Sequence, residues 1–287
     1  MSFALFVSAL TAELPEASKR AARLGLSASD AWNVLVVAQL RDVLAERARA
    51  RGWAPGSWAE GRLFKSVPGF EADTHAAKRH KLLDAITPPA LPSEASPAQS
   101  VEAFGQLYES LLAARPDASG RNLRKRTGSY YTPEALTGIV AGRGFDVLAA
   151  VLDAAGSGAR PLCVLDPALG AGAFLLQAGR EIAQRSGRPL SQVVPRELFG
   201  VDVSPLAVAV AEASLWLLAD SGELTLAAAG ANLTEGDALC SVMAGKALGR
   251  RGVDFDALLP DDADSFDLVL GNPPWVAFAG RATQPLA

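Results

Sequence analysis

The chain predicts an α/β fold, a doubly wound parallel sheet preceded by an α-helical N-terminal region. Three observations carry that expectation. From Pro161 onward, short apolar runs that read as strands alternate with helical segments, the pattern of parallel strands joined by crossover helices. The first of these strands runs into a glycine turn, and the first three each end on an acid, Asp166, Asp202 and Asp237. Before residue 86 the apolar spacing is helical.

The opening MSFALFVSALTA has no basic leader and soon meets Glu13 and Glu16, so it reads as a helix start rather than a signal peptide. SASDAWNVLVVAQLRDVLAERARARG is the clearest helix. Ser29 or Asp30 is placed to cap it, and Trp32, Leu35, Val36, Leu40, Val43 and Leu44 make one stripe. Arginines fill its last turn and Gly52 ends it. ITPPALPSEASPAQS, residues 86–100, is rich in proline and serine and reads as a linker between a helical region, 1–85, and a core, 101–287. Val101, Phe104, Leu107, Tyr108, Leu111 and Leu112 then repeat at helical spacing.

PLCVLD is the first strand and GAGAFLLQAGREIAQRSG its helix. LFGVDV is the second, followed by SPLAVAVAEASLWLLADSG with Ser204 as cap and Pro205 at the first helical position. ANLTEGD is a weaker third strand, DALCSVMAGKALGRRG reads as helix, and FDLVLG is the fourth strand.

With 287 residues, 49% hydrophobic and 20% charged, the chain can bury a sizeable core. Lys and Arg number 27 against 31 Asp and Glu, so bulk charge does not announce a nucleic-acid binder and any basic surface must be local. RNLRKR, with Arg121, Arg124, Lys125 and Arg126, is such a patch. Most charge runs are solvated loops; this one lies just before the Tyr-Tyr-Thr-Pro block, where contact with DNA phosphates is an equal reading. Cys163 and Cys240 sit in apolar stretches and read as buried small hydrophobes, which fits a reducing, cytoplasmic setting. No apolar run is expected to span a bilayer. His75 and His80 stand beside lysines as a solvated face, so no metal site is expected.

The residues with chemistry cluster at predicted strand ends. In VLDPALGAGAF, Gly170 and Gly172 occupy the strand-to-helix turn, where glycine permits positive φ and close approach of a ligand. Leu175 stands where a dinucleotide fingerprint needs a third small residue, and the Lys-Ser/Thr of a phosphate-binding loop is missing. An acid at the second strand's end, Asp202, suits a ribose diol, and Asp237 suits the exocyclic amine of an adenine ring. Each acid alone reads equally as a cap or turn residue; three facing one crevice fit a nucleoside.

FDLVLGNPPW ends its strand in two prolines that cannot extend a ladder and that hold their predecessors extended. The Asn272 side-chain oxygen and the Pro273 carbonyl are then two acceptors beside a flat aromatic, Trp275, an arrangement suited to a planar ring bearing an amino group. On the tetrapeptide alone, a terminating turn with Trp275 in the core stands equally.

Taken together, FGQLYESLLAARPDASGRNLRKRTGSYYTPEAL, DPALGAGAFLL, FGVDVSPLAVAVAEASLWL, NLTEGDAL and FDLVLGNPPW resemble the N6-adenine-specific DNA methyltransferases, closest to the type IIG restriction-modification and BREX phage-defence methylases. The likeness covers about 101–280, with Leu169-Gly-Ala where many relatives carry Cys-Gly-Ser. It implies a Rossmann-like class I methyltransferase fold with S-adenosylmethionine as cofactor. Tyr131, Thr132 and Pro133 would lie against the methionine part. Asp166, Pro167, Ala168, Gly170 and Gly172 would form the turn around it, Asp202 would hold the ribose and Val203 would meet the adenine. Asp237 would contact that ring's amine, with Ala238 adjoining. The catalytic loop would be Asn272, Pro273, Pro274 and Trp275, holding the N6 amine of a flipped base in double-stranded DNA.

The family's sheet carries further strands beyond the fourth, while the chain runs only to Ala287. The sheet is therefore expected to be incomplete, with a second polypeptide supplying the rest or the frame truncated, and the isolated chain is expected to methylate DNA poorly. Two other readings stay open. One is methylation of an RNA base or a protein amide by a related Asn-Pro-Pro loop. The other is a non-catalytic subunit that binds cofactor or DNA.

Overall fold

The computed structural model describes residues 3–68, 75–86, 101–114, 132–155, 160–247 and 249–273. The expected linker, but for Ile86, lies outside them, as do the RNLRKR patch, Tyr131, Pro274 and Trp275.

The N-terminal region is helical as its spacing predicts: α1 Phe3–Arg23, α2 Ala28–Ala50, α3 Arg62–Lys65 and α4 Ala76–Leu83. The cap of α2 differs from the expectation. Ser27 is the cap, and Asp30 is its partner in a capping box: Ser27 Oγ accepts from the Asp30 N–H at 3.1 Å and the Asp30 carboxylate accepts from the Ser27 N–H at 3.0 Å. Helix α5, Val101–Ala114, follows the 86–100 segment.

The sheet is small and all parallel, in the order β3-β2-β1-β4. Its strands are β1 Val164–Asp166, β2 Leu198–Asp202, β3 Leu233–Glu235 and β4 Leu268–Val269. β1 pairs with β2 on one side and β4 on the other, so the strand order reverses between β1 and β4. Alternation along the strands serves two cores. Val164 and Leu198 face the main cluster with the helices, whereas Leu165, Phe199 and Val201 face a second cluster. Helices α6 Glu134–Ala155, α7 Ala173–Ser186 and α9 Pro205–Ala219 contribute buried residues to the main cluster, which also holds Trp32, Leu35 and Leu40 of α2. The opposite face is covered by Val253 and by Phe255, Leu258 and Phe266 of the segment leading into β4. Short α8, Leu190–Glu197, precedes β2, and α10, Leu226–Ala229, precedes β3.

A buried ion pair ties the N-terminal helices to the sheet layer. Glu212 on α9 is almost wholly buried and pairs with the Arg62 guanidinium, which also donates to the carbonyls of Gly230 and Leu233 at 3.0 and 2.9 Å. Burial raises the Glu212 carboxyl above its ordinary value, and Arg62 offsets part of that rise.

Two expectations need correction. The helix read in DALCSVMAGKALGRRG is confined to α11, Val242–Ala247. Here the chain doubles back: the Asp237 N–H donates to the Arg251 carbonyl at 2.7 Å, and a Cβ on Gly245 would lie 2.4 Å from the Gly252 nitrogen. The return crossing is too close for a continued helix.

The second correction concerns membrane-spanning length. Within α6, Glu134–Ala154 is long and apolar enough to cross a bilayer, with mean hydropathy 1.6. Scattered charges hide this from a search for unbroken apolar runs. One side of α6 nonetheless packs in the core through Ala141, Phe145 and Leu148, and Gly144 lies against Leu268 and Leu270.

Candidate active site

β1 ends on Asp166, and the chain turns through residues 167–172 into α7. Gly170 and Gly172 both take left-handed conformations, φ +53° and +87°, as the sequence requires of them. Gly172 also lies close to α9: a Cβ there would stand 3.3 Å from the Ala211 Cβ. The turn is anchored to β2, since the Leu169 N–H donates to the Val201 carbonyl at 3.0 Å. Gly200 makes room for the Leu169 side chain, which a Cβ would meet at 2.7 Å.

Asp202, at the end of β2, draws the turn to itself. Its Oδ2 accepts from the Gly170 N–H at 2.9 Å and its Oδ1 from the Ser204 N–H at 2.8 Å. Each of these oxygens keeps a second lone pair for a ligand. Asp166 is buried, and its Oδ1 accepts from the Ala168 N–H at 3.0 Å. Burial pushes the Asp166 carboxyl up to about 7; the Ala168 bond draws it down and the nearby Asp202 charge adds to the rise. Asp202 is raised too, again by burial, against the bonds from Ser204 and Gly170.

β4 brings the Asn-Pro loop to the same place. Gly271 presses on β1's acid: a Cβ there would lie 2.8 Å from Asp166 Oδ1 and 3.4 Å from Pro167. Asn272 and Pro273 follow, both exposed. Asn272 Nδ2 donates to Thr132 Oγ1 at 3.2 Å, joining residues 140 positions apart. Pro133 accepts the first backbone bonds of α6, from the Leu136 and Thr137 N–H groups at 2.9 and 3.1 Å. Thr132, Thr137, Ala171 and Gly105 border a recess beside the glycine turn.

Asp166, Pro167, Ala168, Gly170, Gly172, Asp202, Thr132 and Asn272 are therefore gathered at the carboxyl ends of β1, β2 and β4. Val203 stands at the end of β2, 62% exposed. Asp237 lies beyond β3, but its carboxylate is engaged: Oδ1 accepts from the Leu239 N–H at 3.0 Å and Oδ2 from Arg250 at 2.9 Å. Ala238 packs with the second cluster.

Sequence reasoning missed three residues here. A Cβ on Gly105 of α5 would stand 3.5 Å from the Ala171 Cβ, one on Gly170 would stand 3.9 Å from Glu109 Oε1 one turn further along α5, and one on Gly271 would clash with Asp166. Gly271, directly ahead of Asn-Pro-Pro, was a legible signal; the other two sit on a helix whose docking no local pattern reveals.

Parallel strands that reverse order beside an acid-lined glycine turn define an open α/β sheet, the class in which ligands bind at the carboxyl edge of the strands. The chain belongs to the N-6 DNA methylase family, whose model matches residues 99–282. No curated protein matches it. Among solved structures, one described as a modification subunit of a type I restriction enzyme from Vibrio vulnificus YJ016 is similar over 74% of this chain, at 18% identity and a TM-score of 0.36, a likeness too slight to bear on function. The chain covers 53% of that structure, about half its length.

Proposed function

We propose that the chain carries the cofactor site and catalytic loop of an S-adenosylmethionine-dependent methyltransferase acting on the N6 amine of adenine in double-stranded DNA, within a restriction-modification or phage-defence system. One observation carries this reading: the glycine turn, Asp166, Asp202 and Asn272 meet at the ends of adjacent parallel strands, where family membership expects a methyl donor to face a base.

The residues fit that donor. Positive φ at Gly170 and Gly172 and the bare Gly271 let a ligand approach the backbone, and the Asp166 and Asp202 carboxyls, whose charged forms burial disfavours, would be drawn to ionise beside a cation bearing sulfonium and ammonium groups. Asp202 holds the ribose hydroxyls, Val203 covers the adenine, and Thr132 and Pro133 border the methionine end with Tyr131. Pro167 and Ala168 complete the turn; Asp237 and Ala238 close the adenine side, with Asp237 reaching the ring amine through its spare lone pairs. The cofactor supplies a methyl on sulfonium, so the N6–CH3 bond forms as the S–CH3 bond breaks and one amine proton leaves to water.

Adenine's amino lone pair is conjugated into its ring and is a poor nucleophile. Asn272 Oδ1 and the Pro273 carbonyl accept its hydrogens and turn the lone pair toward the methyl, so positioning and electrostatics do most of the work. Trp275, held by Pro274, stacks on the base, which must leave the duplex to be reached. Arg121, Arg124, Lys125 and Arg126 contact phosphates; neutralising them weakens DNA binding and flattens its salt dependence.

The open side of β4 and the exposed stripe of α6 form the surface where a second polypeptide, or further chain, completes the sheet. Calorimetry tests the cofactor site: the chain binds S-adenosylmethionine, and Asp202→Ala abolishes that binding. Labelled methyl then appears on adenine of duplex DNA once the sheet is completed. Failure to bind the cofactor, or label on RNA or protein alone, overturns the proposal.

A further inference from the structure

We infer that Thr132 is a positioning residue for Asn272: its hydroxyl holds the carboxamide in one orientation, so that Oδ1 rather than Nδ2 is turned to the target amine. This rests on the proposed function and assigns Thr132 a task beyond lining the methionine end of the cofactor.

The contact joins two anchored backbones. Thr132 precedes Pro133, and Asn272 precedes Pro273. A residue before proline is confined to extended conformations, so neither backbone swings freely. Thr132 is buried, and Pro133 starts α6, whose Ala141, Phe145 and Leu148 are fixed in the core. On the other side, Gly271 seats the loop against Asp166 and Pro167, with no room for a Cβ. Between these two mounts, the contact to Thr132 bears on the orientation of the Asn272 side chain.

That freedom matters because a carboxamide has a donor end and an acceptor end of nearly equal size. The proposed chemistry needs the acceptor: an N–H pointed at an amine hydrogen would repel it and leave the lone pair in the ring. Asn272 Nδ2 donating to Thr132 Oγ1 at 3.2 Å places the donor end on the residue two before α6 and the oxygen on the opposite edge of the carboxamide. A threonine hydroxyl suits the role, since its own hydrogen can rotate elsewhere while a lone pair receives the amide.

The test compares Thr132→Val, Thr132→Ser and wild type in the full chain. In single-turnover methyl transfer with saturating DNA and S-adenosylmethionine, Thr132→Val slows the step about 10-fold, the loss of one hydrogen bond, with cofactor affinity unchanged within about 2-fold. Thr132→Ser returns most of the rate. A rate held constant while cofactor affinity falls overturns the inference and leaves Thr132 a simple cofactor contact.

Where wild type shows no transfer because the sheet is incomplete, a second measurement decides, and failure of the cofactor to bind is what counts against the proposed function. The Asn272 side-chain amide NMR signals, identified by their loss in Asn272→Asp, exchange with solvent several-fold faster in Thr132→Val and recover in Thr132→Ser. Equal exchange in all three overturns the positioning role whatever the enzyme does.

Discussion

Asp166 is the residue whose environment departs furthest from water. Its carboxyl titrates near 7 in the fold against an ordinary value of 3.8. Between those values the unfolded chain has released the proton and the folded one keeps it, so raising the pH across that window destabilises the fold, by about 1.4 kcal/mol per pH unit at the steepest. Thermal denaturation from pH 4 to 8 is expected to show melting falling through this window in wild type. In Asp166→Asn, which keeps the oxygen that accepts from Ala168, that part of the slope disappears; an identical slope removes the assignment. Gly172 gives a second test at this scale. Its φ of +87° and the 3.3 Å approach to Ala211 predict that Gly172→Ala costs about 2 kcal/mol, read as a lower melting temperature.

At the scale of elements, the sheet layer and the N-terminal helices are joined by Arg62 and Glu212. Removing one partner leaves the other stranded. Arg62→Ala would strip the buried Glu212 of its ion pair and remove the two side-chain bonds to the Gly230 and Leu233 carbonyls, leaving the glutamate almost wholly inside with only the backbone N–H of residue 62 as donor. We expect a loss of about 3 kcal/mol in urea denaturation, and a smaller loss when Glu212→Leu is combined with Arg62→Met, because an apolar pair needs no compensation. A double variant as unstable as Arg62→Ala would mean that the bonds to Gly230 and Leu233, rather than the ion pair, hold the helices in place.

For the whole molecule, the outstanding feature is an apolar surface at the β4 edge. Leu136, Ile139, Val147 and Val151 make an outward stripe on α6, with Ile139 and Val147 each 66% exposed, and Val269 of β4 is 57% exposed. The N–H groups of Leu268 and Leu270 point to β1, and among the described residues no strand pairs with the other edge of β4. An apolar stripe beside an open strand edge favours self-association. The isolated chain is expected to form concentration-dependent oligomers in sedimentation experiments. Val147→Glu with Val151→Lys should reduce them without lowering the melting temperature, since neither side chain is buried.

Much of this was legible before any coordinates. Strand and helix alternation gave the parallel sheet, Ser204-Pro205 gave the start of α9, and the glycine pair gave a turn that needs positive φ, because each is a local demand of the backbone that few residue types can meet. The acids at strand ends were legible for the same reason: a carboxylate after an apolar strand marks where chain leaves core. Only tertiary structure decided what each of them bonds to. Asp202 reaches across to the Gly170 N–H, while Asp237 accepts from Arg250, partners set by the packing of the glycine turn and by the doubling back of 237–252. Nor does any local pattern show that Thr132 meets Asn272 or Glu212 meets Arg62. Such pairs depend on how helices dock, and docking energy is the sum of many small, non-directional contacts spread over distant parts of the chain.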